Sequence, residues 1–374
     1  MKFVVSSNSF LSHLQTVGRV IASKNSIPVL DCFLFELQSD KLTITASDNE
    51  TRMVTTIGVS EVEGEGVFAV PSKNLLDSLK ELPEQPVSFD INDDTLEMNI
   101  YYENGKYNFI AQNGDEYPQP KPLKEDAVQI NMPADILFSG VNRSLFATAD
   151  DELRPVMNGV FFDITTEDIT FVASDGHKLV RCKSLAIKGS ERASFILPKK
   201  PANLLKVILP KESGEVTLTF DDTNAYVKLE HFDLVCRLIE GRYPNYNGVI
   251  PQNNPYKVII DRLSFANALK RVSVFSNPAS SLIKLKISSN SILISAQDID
   301  FSTSAEETVA CVYDGEDMSI GFKGNYFIEI LNNLPSTEVI MELADPSRAG
   351  IVLPAENEEN EDLLMLLMPM MLND

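Results

Sequence analysis

The chain says the same thing three times, and this repetition constrains its fold more than any other property. Leu42-Thr-Ile-Thr-Ala-Ser-Asp48 returns as Ile169-Thr-Phe-Val-Ala-Ser-Asp175 and again as Ile292-Leu-Ile-Ser-Ala-Gln-Asp298, so the aspartates stand 127 and 123 positions apart. Leu82-Pro83 recurs at Leu209-Pro210 and Leu334-Pro335, with spacings of 127 and 125. Tyr117-Pro118 recurs at Tyr243-Pro244 and, more loosely, at Met368-Pro369, with spacings of 126 and 125. A solenoid repeat runs to about 50 residues, whereas a whole domain takes roughly 100–150. The 374 residues therefore read as three copies of one domain, at 1–123, 124–251 and 252–374, each long enough to bury its own core.

Within a copy the hydrophobic period alternates between helix and strand. A first strand leads to a helical stripe: Phe10, Leu14, Val17 and Ile21 in copy 1, then Ile136, Leu137, Val141 and Leu145 in copy 2. Copy 3 offers a less regular stripe of Leu263, Ala266, Leu269, Lys270 and Val274. Period-two strands follow, with Leu42, Ile44 and Ala46 sharing a face, and the parity returns at Ile169, Phe171, Ala173 and at Ile292, Ile294, Ala296. A second strand and helix end at each Leu-Pro marker, where proline stops the helix. The expected class is α+β with antiparallel sheets and six helices per chain.

Four scattered cysteines, Cys32, Cys182, Cys236 and Cys311, lie in or beside apolar stretches without a C-x-x-C pair, and read as reduced core residues of a cytoplasmic chain. MKFVVSSNSF lacks a long apolar segment, so no signal peptide is expected. The apolar run from Leu363 to Leu372 is half the roughly 20 residues that span a bilayer, so no membrane partner is expected.

A net charge of −22 argues against a nucleic-acid partner only if the charge is uniform. It is not. The six helical segments with their flanks hold 13 basic and 5 acidic residues, leaving 19 basic and 49 acidic elsewhere. Basic helices sharing one face would meet a polyanion through phosphate contacts, which position without reading sequence.

Ala173-Ser-Asp-Gly-His-Lys-Leu179, preceded by Arg154 and Asn158-Gly159, together with Leu367-Met-Pro-Met370 and the triplication, resembles the bacterial sliding-clamp family, the β subunits of DNA polymerase III. The resemblance covers essentially the whole chain. It implies the DNA-clamp fold: a ring-shaped head-to-tail homodimer, helices lining the inside and antiparallel sheets outside, around double-stranded DNA held without sequence preference. By the same resemblance Lys24, Lys73, Arg154, Lys199, Lys200 and Arg242 would contact DNA. Tyr107, Val274 and Phe275 would close the dimer. A groove for partner peptides would be formed by Met157, Ser174, Gly176, His177, Leu179, Pro244, Val249, Leu366, Met368, Pro369 and Met370. Its ligands would be the replicative polymerase subunit, the clamp loader and other proteins carrying a clamp-binding motif. Two departures from the family pattern stand out: an acidic run, Asp150-Asp-Glu152, precedes Arg154, and Met371-Leu-Asn-Asp374 follows the Met-Pro-Met.

Only the middle copy carries the Gly-His pair; copy 1 has Asp48-Asn-Glu50 and copy 3 has Asp298-Ile-Asp300. One groove per chain is expected. The pair Asp175 and His177 lacks the further ligands or nucleophile that a metal or catalytic centre needs, and the repeated aspartate suits a turn cap better. Neither catalysis, metal nor cofactor is expected, and a scaffold without DNA would leave the charge partition unexplained.

Overall fold

The computed structural model describes residues 1–372. Two compact units result: one from 1–137 with 203–238, the other from 138–202 with 239 onward. Six helices alternate with short strands: α1 (Ser7–Val17), α2 (Ser72–Lys80), α3 (Ala134–Ser144), α4 (Lys199–Ile208), α5 (Arg262–Ser273) and α6 (Gly324–Asn332). None is long and apolar enough to cross a membrane.

Helix α1 starts where Ser6 accepts a hydrogen bond from the Ser9 N–H, and α5 where Asp261 does the same for Ser264. Phe10, Leu14 and Val17, at helical spacing, are buried. The Phe10 ring packs edge-on to Phe89 at 5.3 Å, and complete burial of such a side chain contributes about 1.5–3 kcal/mol. Ile21 falls beyond the end of α1, outside the helical stripe. In α5 the buried face is Phe265, Ala266, Ala268, Leu269 and Val272. Leu263, Lys270 and Val274 lie on exposed positions: the aromatic Phe265, edge-on to Phe327 of α6 at 5.2 Å, fixes the helix rotation.

The first unit holds a five-stranded sheet, in the order Ser60–Glu63, Lys2–Ser6, Pro86–Ile91, Glu97–Tyr102, Gly105–Ile110, and a nine-stranded sheet. The nine-stranded sheet joins copies 1 and 2 by pairing Thr51–Gly58 with Phe232–Arg237, Thr51 opposite Cys236. The second unit repeats the plan. Its eight-stranded sheet joins copies 2 and 3 by pairing Lys178–Ser184 with Glu361–Leu367, Lys178 opposite Leu367. Its four-stranded sheet runs Thr303–Ala310, Ser291–Asp298, Leu282–Ser288, Met318–Lys323. Every pairing is antiparallel.

The two seams share one register. Asp48 and Asp175 lead hairpins that place Thr51 and Lys178 at the same position. Following the ladders from Glu215 and from Glu338 brings Cys236 and Leu367 to the same position too. In the outer sheets the equivalent strands, Gly105–Ile110 and Thr303–Ala310, are edges. Exposed apolar side chains stand on or beside those two edges: Tyr101 and Ile110 at the first, Val274, Phe275, Ile299 and Phe301 at the second.

The strand framework corrects one sequence marker. Tyr117 and Tyr243 follow their preceding main strands, Gly105–Ile110 and Phe232–Arg237, by seven and six residues, but Met368 directly follows Glu361–Leu367. Met368-Pro369 thus matches the tyrosine markers in spacing without occupying their structural position, because longer hairpins earlier in copy 3 make up the count.

Candidate functional site

The densest set of expected site residues surrounds the Asp175 turn. Asp175 Oδ1 accepts the N–H groups of His177 (2.8 Å) and Lys178 (2.9 Å). Ser174 Oγ donates to the Lys178 carbonyl at 2.9 Å and accepts the Gly176 N–H at 3.1 Å. Gly176 has φ +91°, and a Cβ there would meet the Arg154 guanidinium at 3.2 Å, so glycine suits both the turn and its neighbour. Asp48 caps Glu50 and Thr51 in the same way, and Asp298 caps Asp300. The repeated aspartate is a turn former, engaged by backbone rather than poised for catalysis.

Met368 and its neighbours are tied to this turn and to the strand beside it. Met368 N–H donates to the His177 carbonyl and Met370 N–H to the Gly321 carbonyl, both at 2.8 Å. A Cβ on Gly321 would lie 2.7 Å from the Met370 oxygen, so glycine permits the approach. Leu179 and Leu366 are opposite each other in the seam. Both are buried, in one cluster with Val172, Ile196, Tyr243, Tyr246, Ile250, Ala349, Ile351 and Leu364. Phe161 stacks on Tyr243 with ring centroids 4.6 Å apart. Tyr246 donates its hydroxyl to Asp163 at 2.9 Å; burial, and then the Asp163 charge, push that hydroxyl up to about 12.

On this floor stand the exposed Pro244, Val249 and Met368, with Pro369 and Met370 half-buried. Met157 is buried beside Val156, which itself packs on the cluster. Gly176 and His177 are exposed at the turn and Ser174 is buried beneath it. The arrangement offers apolar anchoring on a rigid floor, with methionine as the adaptable element. Sequence reading missed the floor residues Val172, Tyr246, Ile351 and Leu364: Val172, Ile351 and Leu364 lie in continuous apolar strand runs, which mark core without distinguishing a groove, and Tyr246 opens a short 3-10 turn that no periodicity marks.

It also missed Lys178. Its ammonium is buried, 2.7 Å from Glu329 and 3.3 Å from Asp175, and sits over the Tyr326 ring at 4.1 Å. This cation pins helix α6 to the turn, a role that residue spacing does not announce.

The basic residues divide into two kinds. Lys24, Lys73 and Arg242 are exposed, Lys24 in the loop after α1 and Lys73 on the first turn of α2. Lys199 and Lys200 open α4 and are half-buried. The acidic run reaches two of the expected DNA contacts: Asp150 pairs with Lys199 at 2.6 Å and Asp151 with Arg154 at 2.8 Å. The Arg154 hydrogen bond, and then the Leu153 N–H, hold the Asp151 carboxyl below its ordinary range. Helix charge is also partly structural. Arg143 binds Glu358 and Glu361, Arg262 caps the carbonyls of Leu331 and Ser336, and Arg271 pairs with Glu307. The sequence count took these arginines as available to a polyanion, because intramolecular partners distant in sequence are invisible to it.

Tyr107 sits half-buried on the edge strand Gly105–Ile110, its ring 4.8 Å from Tyr102. Val274 and Phe275 end α5 and are exposed.

Known proteins match this architecture throughout. The family models for the DNA polymerase III beta subunit match in order: the N-terminal domain at 1–121, the central domain at 131–245 and the C-terminal domain at 247–371. A beta sliding clamp of Haemophilus influenzae is 28% identical over 375 residues, covering 100% of both chains. One from Pseudomonas putida is 25% identical, covering 98% of this chain and 99% of its own. The crystal structure of the Pseudomonas aeruginosa sliding clamp bound to griselimycin superposes with a TM-score of 0.94 at 24% identity, covering 100% of both chains. That of the Thermotoga maritima DNA polymerase III beta subunit gives 0.90 at 25% identity, again covering 100% of both. With all three domain models in sequence and the repeated strand–helix plan they describe, the chain belongs to the family of bacterial DNA polymerase III beta subunits, the beta sliding clamps.

Proposed function

We propose that two copies of this chain close head to tail into a ring around duplex DNA and hold the replicative polymerase there through the groove at the Asp175 turn. The family's role is that of a non-catalytic processivity factor, and such tethering raises a partner's local concentration without a chemical step. The observation that carries the reading is the shared register of the two seams. Applied a third time, it pairs Thr303–Ala310 with Gly105–Ile110 of a second copy, Thr303 opposite Phe109 and Ala305 opposite Tyr107. Both edges would then be paired, twice per dimer, which removes the aggregation hazard of exposed strands. Tyr107, Val274 and Phe275 are the proposed apolar contacts of that third seam.

Lys24, Lys73, Arg154, Lys199, Lys200 and Arg242 are proposed to face DNA. Because Asp150 and Asp151 already engage Lys199 and Arg154, contact from those two requires exchange of partners and weakens the hold, which suits sliding. The eleven residues named for the groove are proposed to take partner peptides, with Val249, Met368 and Pro244 as the rim. The division into copies at 1–123, 124–251 and 252–374 is supported by the limits of the three matching domains, which lie within seven residues of it. A cytoplasmic location follows from action on replicating bacterial DNA.

The test is topological. Loaded onto closed circular DNA, the protein is expected to stay bound through gel filtration and to be lost once the circle is linearised. Equal retention on both forms would overturn the ring.

A further inference from the structure

We propose a divalent-metal site at Glu212, Glu230 and His231, occupied by zinc or a metal of similar preference. Their ligand atoms all lie within 4.8 Å of one another. Nothing in sequence spacing announces it, since Glu212 ends the segment after α4 whereas Glu230 and His231 form the turn between strands Asn224–Lys228 and Phe232–Arg237.

The second observation is the state of Glu212. Its side chain is only 2% exposed. One oxygen, Oε2, accepts the His231 backbone N–H at 3.1 Å. The other, Oε1, is shut off from solvent and accepts no hydrogen bond among the described residues, although His231 Nδ1 lies 3.3 Å away. A buried carboxylate oxygen without a donor is costly. The distance explains what the orphaned oxygen suits. Two ligands at about 2.0–2.2 Å from a tetrahedral ion stand roughly 3.3–3.5 Å apart, so Oε1 and Nδ1 are already separated as neighbours on one metal.

The rest of the site is prepared accordingly. The backbone hydrogen bond fixes the Glu212 carboxylate, the support that metal-bound carboxylates characteristically have, and Thr55 Oγ1, donating to the His231 carbonyl at 2.8 Å, holds the backbone of the turn. Glu230, exposed and held by Ser213 Oγ at 3.1 Å, supplies the third ligand by a small side-chain rotation, leaving the fourth position to water. One imidazole with two carboxylates favours zinc, nickel or cobalt over magnesium or calcium, which prefer all-oxygen shells. A bound ion would staple the end of α4's segment to the hairpin whose second strand forms the seam with Thr51–Gly58.

The test uses the full-length protein stripped with chelator and titrated with Zn2+ by calorimetry in excess Mg2+, with Co2+ absorption as a second probe. Expected are one saturable site per chain, visible-region Co2+ bands of low coordination number, and affinity at least about tenfold weaker in His231→Ala and in Glu230→Gln. Both altered side chains are exposed, so the variants should fold, which circular dichroism would check. Absence of saturable Zn2+ binding, or binding unchanged in both variants, would overturn the site and leave Glu212 and His231 as a simple ion pair.

Discussion

The third seam makes a quantitative prediction. Val274 is 78% exposed and Phe275 40% exposed at the end of α5. Full burial of such side chains contributes about 1.5–3 kcal/mol each, so the remaining exposed parts are worth together about 2–3.5 kcal/mol at one interface. A head-to-tail dimer closes through two identical interfaces, which doubles the figure to about 4–7 kcal/mol. The double variant Val274→Ser/Phe275→Ser should therefore raise the dimer dissociation constant about 10³- to 10⁵-fold. Sedimentation velocity over a dilution series measures this directly, and the variant should become monomeric where the parent protein stays dimeric. Leu153→Ser, which alters an exposed apolar residue on neither edge, serves as the control and should leave assembly unchanged. If the double variant dissociates over the same range as its parent, apolar contact at the end of α5 does not hold the ring.

Other expectations concern the groove, the core and a helix cap. Val249→Asp and Met368→Ala should each weaken a labelled clamp-binding peptide by about 1–2 kcal/mol, or roughly 5- to 30-fold; an unaltered anisotropy titration would remove those residues from the rim. Arg143→Ala leaves the nearly buried Glu361 without its 3.0 Å partner and should cost about 3–5 kcal/mol in urea unfolding. Arg143→Met with Glu361→Leu should recover most of the loss, and a single variant as stable as the parent would show that the pair contributes little. The Ser264 N–H, ahead of the other influences, holds the Asp261 carboxyl below its ordinary range. A depressed folded-state pKa gives stability that is present above the unfolded value of about 4 and is lost as pH falls through the lower folded value. Asp261→Ala should thus cost about 1 kcal/mol at neutral pH, with the gap narrowing on acidification; a gap that widens in acid would refute the cap.

What was legible in the sequence follows from the range of the interactions concerned. The Asp48, Asp175 and Asp298 turns and the α1 stripe are local, so their periodicity and turn chemistry stand in the residue order. The rotation of α5 was misread because Phe265 meets Phe327, a partner in another helix. The charge partition overstated the cations available, since Arg143, Arg262 and Arg271 find carboxylates or carbonyls far along the chain. Residues of the proposed groove came from resemblance, while the cluster beneath it, built from Tyr243, Ile351 and Leu364 on separate segments, needed the folded sheet to bring it together. Glu212 and His231 belong to the same class of hidden neighbours.

The pairing of Lys178–Ser184 with Glu361–Leu367 has a consequence for biosynthesis. The middle copy supplies the turn of the proposed groove, but the strand that pairs beside it lies in the third copy, with Lys178 opposite Leu367, 189 positions further along. A chain that stops short of Glu361 leaves Lys178–Ser184 without its partner strand, because long-range strand pairing must wait for the distant strand. Because the proposed groove needs both strands, competence to bind partners would report that synthesis has passed Leu367.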